Sequence, residues 1–322
     1  MRIVVTGGAG FIGSHFSESA VAQGFDVLVL DKLTYAGSLR NLDAIPSSQY
    51  AFELLDISDQ AKLFAALERF KPNVLINFAA ESHVDRSINN PLPFYTSNII
   101  GATNCYEAER KGLVGRIIQI STDEVYGSAE HGSWDESAPL LPRSPYSASK
   151  ASAELIALSY KTTFLSNLQI TRCANNFGPR QGLEKFLPTS IVSCMTGKPI
   201  PIYGNGQNRR EWLHVSDHVE AIMAILLSSK CEHSVYNIGG NEMSNIDLAR
   251  EVNTYFGRDS EDFVYIPDRP GHDFRYSVND LRFSTEFSTP KKRAFLESLH
   301  QTIDWYRGNH EWISTNIGVI NS

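Results

Sequence analysis

Three short stretches of the chain hold side chains whose types and spacing could do chemistry. In Thr6-Gly7-Gly8-Ala9-Gly10-Phe11-Ile12-Gly13, the glycines Gly7, Gly10 and Gly13 recur every third residue. Between a strand and a helix, such glycines let the backbone approach a pyrophosphate. The helix start then offers free N–H groups and the positive end of its dipole. Asp31 follows Gly13 by eighteen residues, where a carboxylate can accept the ribose hydroxyls of NAD and repel the extra phosphate of NADP. Lys32, next to it, is a cation that could meet that phosphate, so NADP stays open on these residues alone. In Tyr146-Ser147-Ala148-Ser149-Lys150 a phenol and an ammonium stand one helical turn apart, and the ammonium favours the phenolate that could exchange a proton with a substrate hydroxyl. In Ile120-Ser121-Thr122-Asp123-Glu124, two adjacent acids close an apolar run. One acid could remove a carbon-bound proton while the other protonates a departing hydroxyl. Each pattern has a plainer reading: a tight turn, a surface helical pair, a strand end with solvated acids. Taken together they point to an NAD-dependent enzyme.

Such residues need a scaffold that brings them to one edge, and the chain predicts one. Apolar runs at Arg2–Thr6, Asp26–Asp31, Tyr50–Leu55, Val74–Ala79, Arg116–Ser121 and Leu168–Cys173 read as buried strands. Helical patterns lie between them: one ending near Gln23 with Gly24 as its cap, then Gln60–Phe70, Phe94–Lys111 and Tyr146–Phe164. This alternation predicts an α/β fold, a Rossmann-type, doubly wound, mostly parallel sheet with ligands at the carboxyl ends of the strands. After about residue 175 the elements shorten and Gly and Pro thicken, which predicts a smaller α/β region. The expected division is an NAD-binding domain over 1–175, rejoined by about 213–240, and a smaller substrate-binding domain over 176–322. Val235–Ile238 is expected to return to the main sheet, and Asp217 with Glu220 to form a capping box.

Composition narrows the class. Of 322 residues 42% are hydrophobic and 20% charged, which excludes a disordered chain. A formal charge of −7 without a basic stripe argues against a nucleic-acid partner. No apolar stretch approaches the length of a membrane span, and the start shows no leader pattern, so a cytoplasmic protein is expected. Cys105, Cys173, Cys194 and Cys231 are too scattered for a disulfide framework or a zinc site. His214 and His218 stand at i, i+4 without the glutamate of a zinc helix, so they read as histidines around a helix start and no metal is expected.

The glycine loop, the Tyr146–Lys150 pair and Ser121-Thr122 resemble the extended short-chain dehydrogenase/reductase family. Thr122-Asp123-Glu124, Ala79-Ala80-Glu81-Ser82-His83-Val84-Asp85-Arg86-Ser87, Asp31–Gly37, Arg172–Asn176 and Asp268–Asp273 resemble its nucleotide-sugar 4,6-dehydratases over nearly the whole chain. The resemblance implies a bound NAD and a nucleoside-diphosphate hexose, with dTDP-glucose converted to a 4-keto-6-deoxy sugar. By the same resemblance, Tyr146 and Lys150 serve the oxidation at carbon 4 and Thr122 bonds near the 4-oxygen. Glu124 then takes the carbon 5 proton, and Asp123 protonates the leaving 6-hydroxyl. Beyond Phe11, Ile12 and the glycines, the cofactor residues it implies are Asp31, Lys32, Thr34, Asp56, Ile57, Ala79, Ala80, Ser82 and Thr96 or Asn98. On the sugar-nucleotide side it implies Ser82, His83, Asp85, Thr122, Asn175, Asn176, Glu184, Lys185, Leu187, Pro201, Tyr203, Arg210, Asn245, His272 and Tyr276. A guanidinium such as Arg210 also suits a diphosphate on its own chemistry. The chain departs from the family pattern at Phe177–Lys185, Ala174 and Glu211, which leaves a UDP-glucose or UDP-N-acetylglucosamine dehydratase and a 4-epimerase as alternatives. A homodimer is implied through a four-helix bundle built from Phe94–Lys111 and Tyr146–Phe164.

Overall fold

The computed structural model describes residues 1–288 and 292–320. Its main sheet has seven parallel strands: β1 (Arg2–Thr6), β2 (Asp26–Asp31), β3 (Tyr50–Leu54), β4 (Val74–Asn77), β5 (Ile117–Thr122), β6 (Leu168–Cys173) and, returning late from the second half, β10 (Val235–Ile238). Their order is β10-β6-β5-β4-β1-β2-β3, the doubly wound arrangement with its switch point between β1 and β4. Alternate side chains of one strand feed opposite faces: Ile3 and Val5 enter one core and Val4 the other. On the first face pack the helices Phe11–Ala22 and Val215–Leu227; on the second pack Gln60–Phe70, Ala102–Arg110 and Pro145–Phe164.

The smaller region holds β7 (Asn175–Phe177), β9 (Arg209–His214) and β11 (Asn241–Ser244) in one sheet, and β8 (Ile200–Tyr203) beside β12 (Phe263–Ile266) in another. Its core gathers Phe177, Leu187, Ile191, Ile202, Leu248, Ile303 and Tyr306. Among the described residues no helix is long and apolar enough to cross a membrane.

Local signals explain most boundaries. Gly24 has φ +76°, and the Gly24 and Phe25 N–H groups donate to Val21 and Ala20 carbonyls, closing the first helix as a Schellman motif. One boundary differs from expectation. The helix Val215–Leu227 starts two residues before Asp217, with His214 Nδ1 accepting from Ser216 N–H at 3.3 Å as its cap. Asp217 and Glu220 form no capping box. Three apart on one helix face, they clamp Arg293, which arrives from 76 residues away.

A π-helical stretch over Tyr95–Gly101 interrupts the helical run from Leu92 to Arg110. Gly101 sits there against Ile57, where a Cβ would meet the isoleucine side chain at 2.6 Å. Wide turns of this kind cluster at functional sites.

The tightest approach joins β1 to its helix. A Cβ on Gly13 would lie 2.3 Å from the Gly7 carbonyl oxygen, and one on Gly7, at φ +67°, would lie 2.5 Å from the Ala79 nitrogen. Backbone occupies both spaces, so nothing flexible can yield. Gly13→Ala should therefore cost about 1–3 kcal/mol of stability, read as a lower denaturation midpoint. A midpoint equal to that of the parent would mean the loop relaxes freely.

Candidate active site

The carboxyl ends of β1, β2, β4, β5 and β6 open onto one cleft of about 280 Å³. Its cofactor-like half is lined by Gly7, Gly10, Phe11, Ile12, Gly13, Asp31, Lys32, Thr34, Asp56, Ile57, Ala79, Ala80 and Ser82. Asp31 is buried, and its carboxylate accepts from the backbone N–H of Ala9 at 3.0 Å and of Leu33 at 2.8 Å. Burial raises its pKa, while these bonds oppose the rise. Lys32 Nζ donates to Ser97 Oγ at 2.7 Å and lies 3.5 Å from Asp56 and 3.7 Å from Glu81. Its charge is thus already met by two carboxylates, which removes the sequence argument for an NADP phosphate. The glycine cradle, filled by any Cβ, and the fixed acid at the end of β2 suit an adenine dinucleotide with free ribose hydroxyls.

The other half of the cleft joins Thr122, Asp123, Glu124, Tyr146, Lys150, Asn175, Asn176, Glu184 and Lys185. Asp123 is buried, and its Oδ2 has no partner among the described residues. Burial, then the charges of Glu124 and Glu211, push its pKa well above the carboxylate range, so the protonated form is favoured. Glu124 is raised too, first by burial, but Arg269, Arg210 and Lys185 pull it back. The two acids therefore sit in different fields: both are raised, but Asp123 is held the more strongly toward its protonated form, and Glu124 has three cations opposing its rise where Asp123 has one.

Tyr146 departs from the sequence expectation. Burial and then the charge of Glu124 push its phenol well above the usual value, against a hydrogen bond from Thr122. Lys150 is pulled down to about 8 by burial and donates to the Ile120 carbonyl at 2.7 Å. The phenol stays protonated here, and only positive charge brought into the cleft would release it.

Thr96 lies off the cleft. It is exposed and its hydroxyl bonds Leu92 O at 3.2 Å. The next residues turn inward instead: Ser97 meets Lys32, and Asn98 Nδ2 donates to Glu81 O at 3.0 Å and Ser149 Oγ at 2.8 Å. Leu187 is also displaced, its side chain buried in the smaller region's core. Asp85, Pro201, Tyr203, Arg210, Asn245, His272 and Tyr276 do not line the cleft either, and neither does His83, which caps the helix Val84–Asn89. Several form an outer cluster. Tyr203 OH donates to Asp85 at 3.1 Å, Arg269 lies 3.5 Å from Asp85, and the Arg210 guanidinium lies 4.3 Å from the Tyr276 ring centre. His272 pairs with Asp268 at 2.6 Å, and Asn245 N–H reaches Asn208, whose side chain bonds Asp273 O. Arg180, a departure from the family pattern, points away from the cleft, tied to Asn41 O, His15 and Glu18.

Sequence reasoning omitted Ser97, Ser121, Cys173, Gln181 and Arg269. Arg269, Ser121, Cys173 and Gln181 were legible, since each stands inside a stretch quoted above, whereas Ser97 carries no local signal. His218, fully buried, donates from Nδ1 to Asn176 Oδ1 at 2.9 Å.

Three comparisons bear on this site. Residues 4–280 match the family model described as GDP-mannose 4,6 dehydratase. The dTDP-glucose 4,6-dehydratase of Streptomyces niveus is 43% identical over 320 residues, covering 97% of this chain and 94% of that protein. That of Salmonella typhimurium is 38% identical, covering 98% and 95%. Among solved structures, the Streptomyces venezuelae dTDP-glucose 4,6-dehydratase with NAD and a second ligand bound superposes with a TM-score of 0.93 at 40% identity, covering 97% of this chain and 98% of that one. The UDP-glucose 4-epimerase of Thermus thermophilus with NAD reaches 0.88 at 30% identity, covering 96% and 99%.

The field on Asp123 yields a stability prediction. Its pKa is raised on folding above the ordinary 3.8, so the folded protein binds this proton more tightly than the unfolded chain. Stability is therefore lost as pH rises above about 4. Asp123→Asn removes that loss. Its melting temperature should exceed the parent's by more at pH 8 than at pH 4, and an equal offset at both pH values would show that Asp123 feels no such field.

Proposed function

The chain belongs to the GDP-mannose 4,6-dehydratase family of extended short-chain dehydrogenase/reductases, and from this we propose that it is an NAD-dependent hydro-lyase converting dTDP-glucose to dTDP-4-keto-6-deoxyglucose. The observation that carries the reading is the pair of buried Asp123 and half-buried Glu124, which line the same glycine-walled cleft as Tyr146. A 4-epimerase needs the tyrosine and NAD but has no use for a pair of acids beside them.

Bound NAD would supply a hydride acceptor at carbon 4 and return that hydride to carbon 6, leaving unchanged at the end of each turnover. Tyr146, whose phenol would be released to the phenolate by the positive charge that bound NAD brings into the cleft, takes the proton of the 4-hydroxyl, with Thr122 beside the same oxygen. The resulting ketone acidifies carbon 5. Glu124, held toward its charged form by Arg269, Arg210 and Lys185, removes the carbon 5 proton. Asp123, kept protonated by its surroundings, gives its proton to the departing 6-hydroxyl, which leaves as water. A proton returned to carbon 5 completes the sugar. Gly7, Gly10, Gly13, Asp31, Asp56, Ile57, Ala79 and Ala80 hold the dinucleotide, and Lys185, Arg210 and Arg269 face the diphosphate.

Residues 1–175, rejoined by about 213–240, form the cofactor half of this reading, and the rest of 176–322 the nucleotide-sugar half. A homodimer in the cytoplasm completes it. The exposed Ile100, Leu155 and Phe164, on the two helical segments named for the bundle, give that contact an apolar face, and the free thiols of all four cysteines suit a reducing compartment.

The test is incubation with dTDP-, UDP-, GDP- and CDP-hexoses. A product lighter by one water is expected from the dTDP sugar, whereas a product of unchanged mass and inverted carbon 4 would favour the epimerase. Glu124→Gln should lower the dehydration rate by about 10²–10⁴ while oxidation at carbon 4 survives, so that absorbance of reduced cofactor accumulates. Parental turnover by Glu124→Gln would remove Glu124 as the base.

A further inference from the structure

Beneath the acid pair lies a buried polar network to which the reaction above assigns no part. Glu154 is fully buried and Arg172 nearly so, with Arg172 Nη2 2.7 Å from Glu154 Oε2. A buried ion pair is weak evidence for stability, because two desolvated charges often do no better than packed apolar side chains. What distinguishes this pair is what it holds. Ser121 Oγ donates to Glu154 Oε1, and Arg172 Nη1 donates to Tyr126 OH at 2.6 Å. Tyr126 OH donates onward to Asn237 Oδ1 on β10 at 2.8 Å.

Ser121 precedes Thr122, and Tyr126 ends the short 3₁₀ turn Asp123–Tyr126. Both ends of the segment bearing the acids are thus fastened to the same ion pair. Glu154 follows Tyr146 and Lys150 at successive intervals of four residues on the helix Pro145–Phe164, so one helix face carries all three. Arg172 sits opposite Ser121 in the β5–β6 register.

We infer that Glu154 and Arg172, acting through Ser121 and Tyr126, are positioning residues for the elimination step, fixing the acid pair relative to Tyr146 and Lys150. This rests on the dehydratase reading of the same site. Oxidation at carbon 4 draws its proton acceptor and its ammonium from the helix, with Thr122 the one contact from β5, whereas elimination needs the sugar held by that helix to meet both acids on the turn after β5. Misplacement by about 1 Å is enough to cost about 10²-fold in rate. Loosening the network should therefore slow the second step more than the first.

Tyr126→Phe cuts one arm of the network without unpairing the ions. With dTDP-glucose as substrate, its dehydration kcat should fall at least about tenfold while KM stays within about threefold. Single-turnover reduction of the bound cofactor should keep its parental rate, and exchange of the carbon 5 proton with deuterium from solvent should slow. The double variant Glu154→Gln/Arg172→Met removes both charges together and should show the same split. Two results would overturn the inference alone: both steps slowed equally, or a lowered melting temperature with both steps at parental rates. A parent protein that dehydrates no nucleotide hexose would instead overturn the functional reading, and this inference with it.

Discussion

Two carboxyls placed side by side away from water cannot both be charged, and the site is built around that constraint. Asp123 takes the desolvated position, with one oxygen unpartnered among the described residues and the charges of Glu124 and Glu211 against its ionisation. Glu124 receives the cations. The same low-dielectric surroundings that split the pair also raise Tyr146 and lower Lys150. A site of this kind holds a proton where one is to be given and opposes protonation where one is to be taken, before any substrate arrives.

The scaffold answers to the same requirement. A parallel sheet presents its strand ends on one edge, so the glycine loop after β1, Asp31 at the end of β2, Ala79 beyond β4 and the acids after β5 meet in one cleft without long loops. The smaller region supplies what the sheet edge lacks, namely the positive charge of Lys185, Arg210 and Arg269. Asn98, bonded at once to the Glu81 backbone and to Ser149, ties the loop after β4 to the helix of Tyr146.

Much of this was legible in the sequence because its causes are local. Strands β1, β2 and β6 and the helix Gln60–Phe70 have the boundaries that apolar runs and turn residues predict. The glycine spacing and the acid pair likewise announce themselves, and the family resemblance carried the chemistry. What escaped depends on distant chain or on uneven geometry. The π-helical stretch breaks the 3.6-residue period, so Ser97 lines the cleft where Thr96 or Asn98 was expected, and Asn98 turns inward to Glu81 and Ser149. Asp217 and Glu220 have the spacing of a capping box, yet Arg293 claims both. Leu187 lies next to a cleft residue's helix but spends its side chain on the core. The pairing of Glu154 with Arg172 joins a helix to a strand, and no spacing announces it. Nor could the i, i+4 pattern show that burial would outweigh the lysine's pull on Tyr146.

The central claim is that this site oxidises carbon 4 only to make elimination across carbons 5 and 6 possible, and hydrogen tracing tests it directly. With dTDP-glucose carrying deuterium at carbon 4, the product should hold that deuterium in its carbon 6 methyl group, and in deuterated water a solvent deuteron should appear at carbon 5. A product that keeps its 6-hydroxyl and retains the label at carbon 4 would contradict the account.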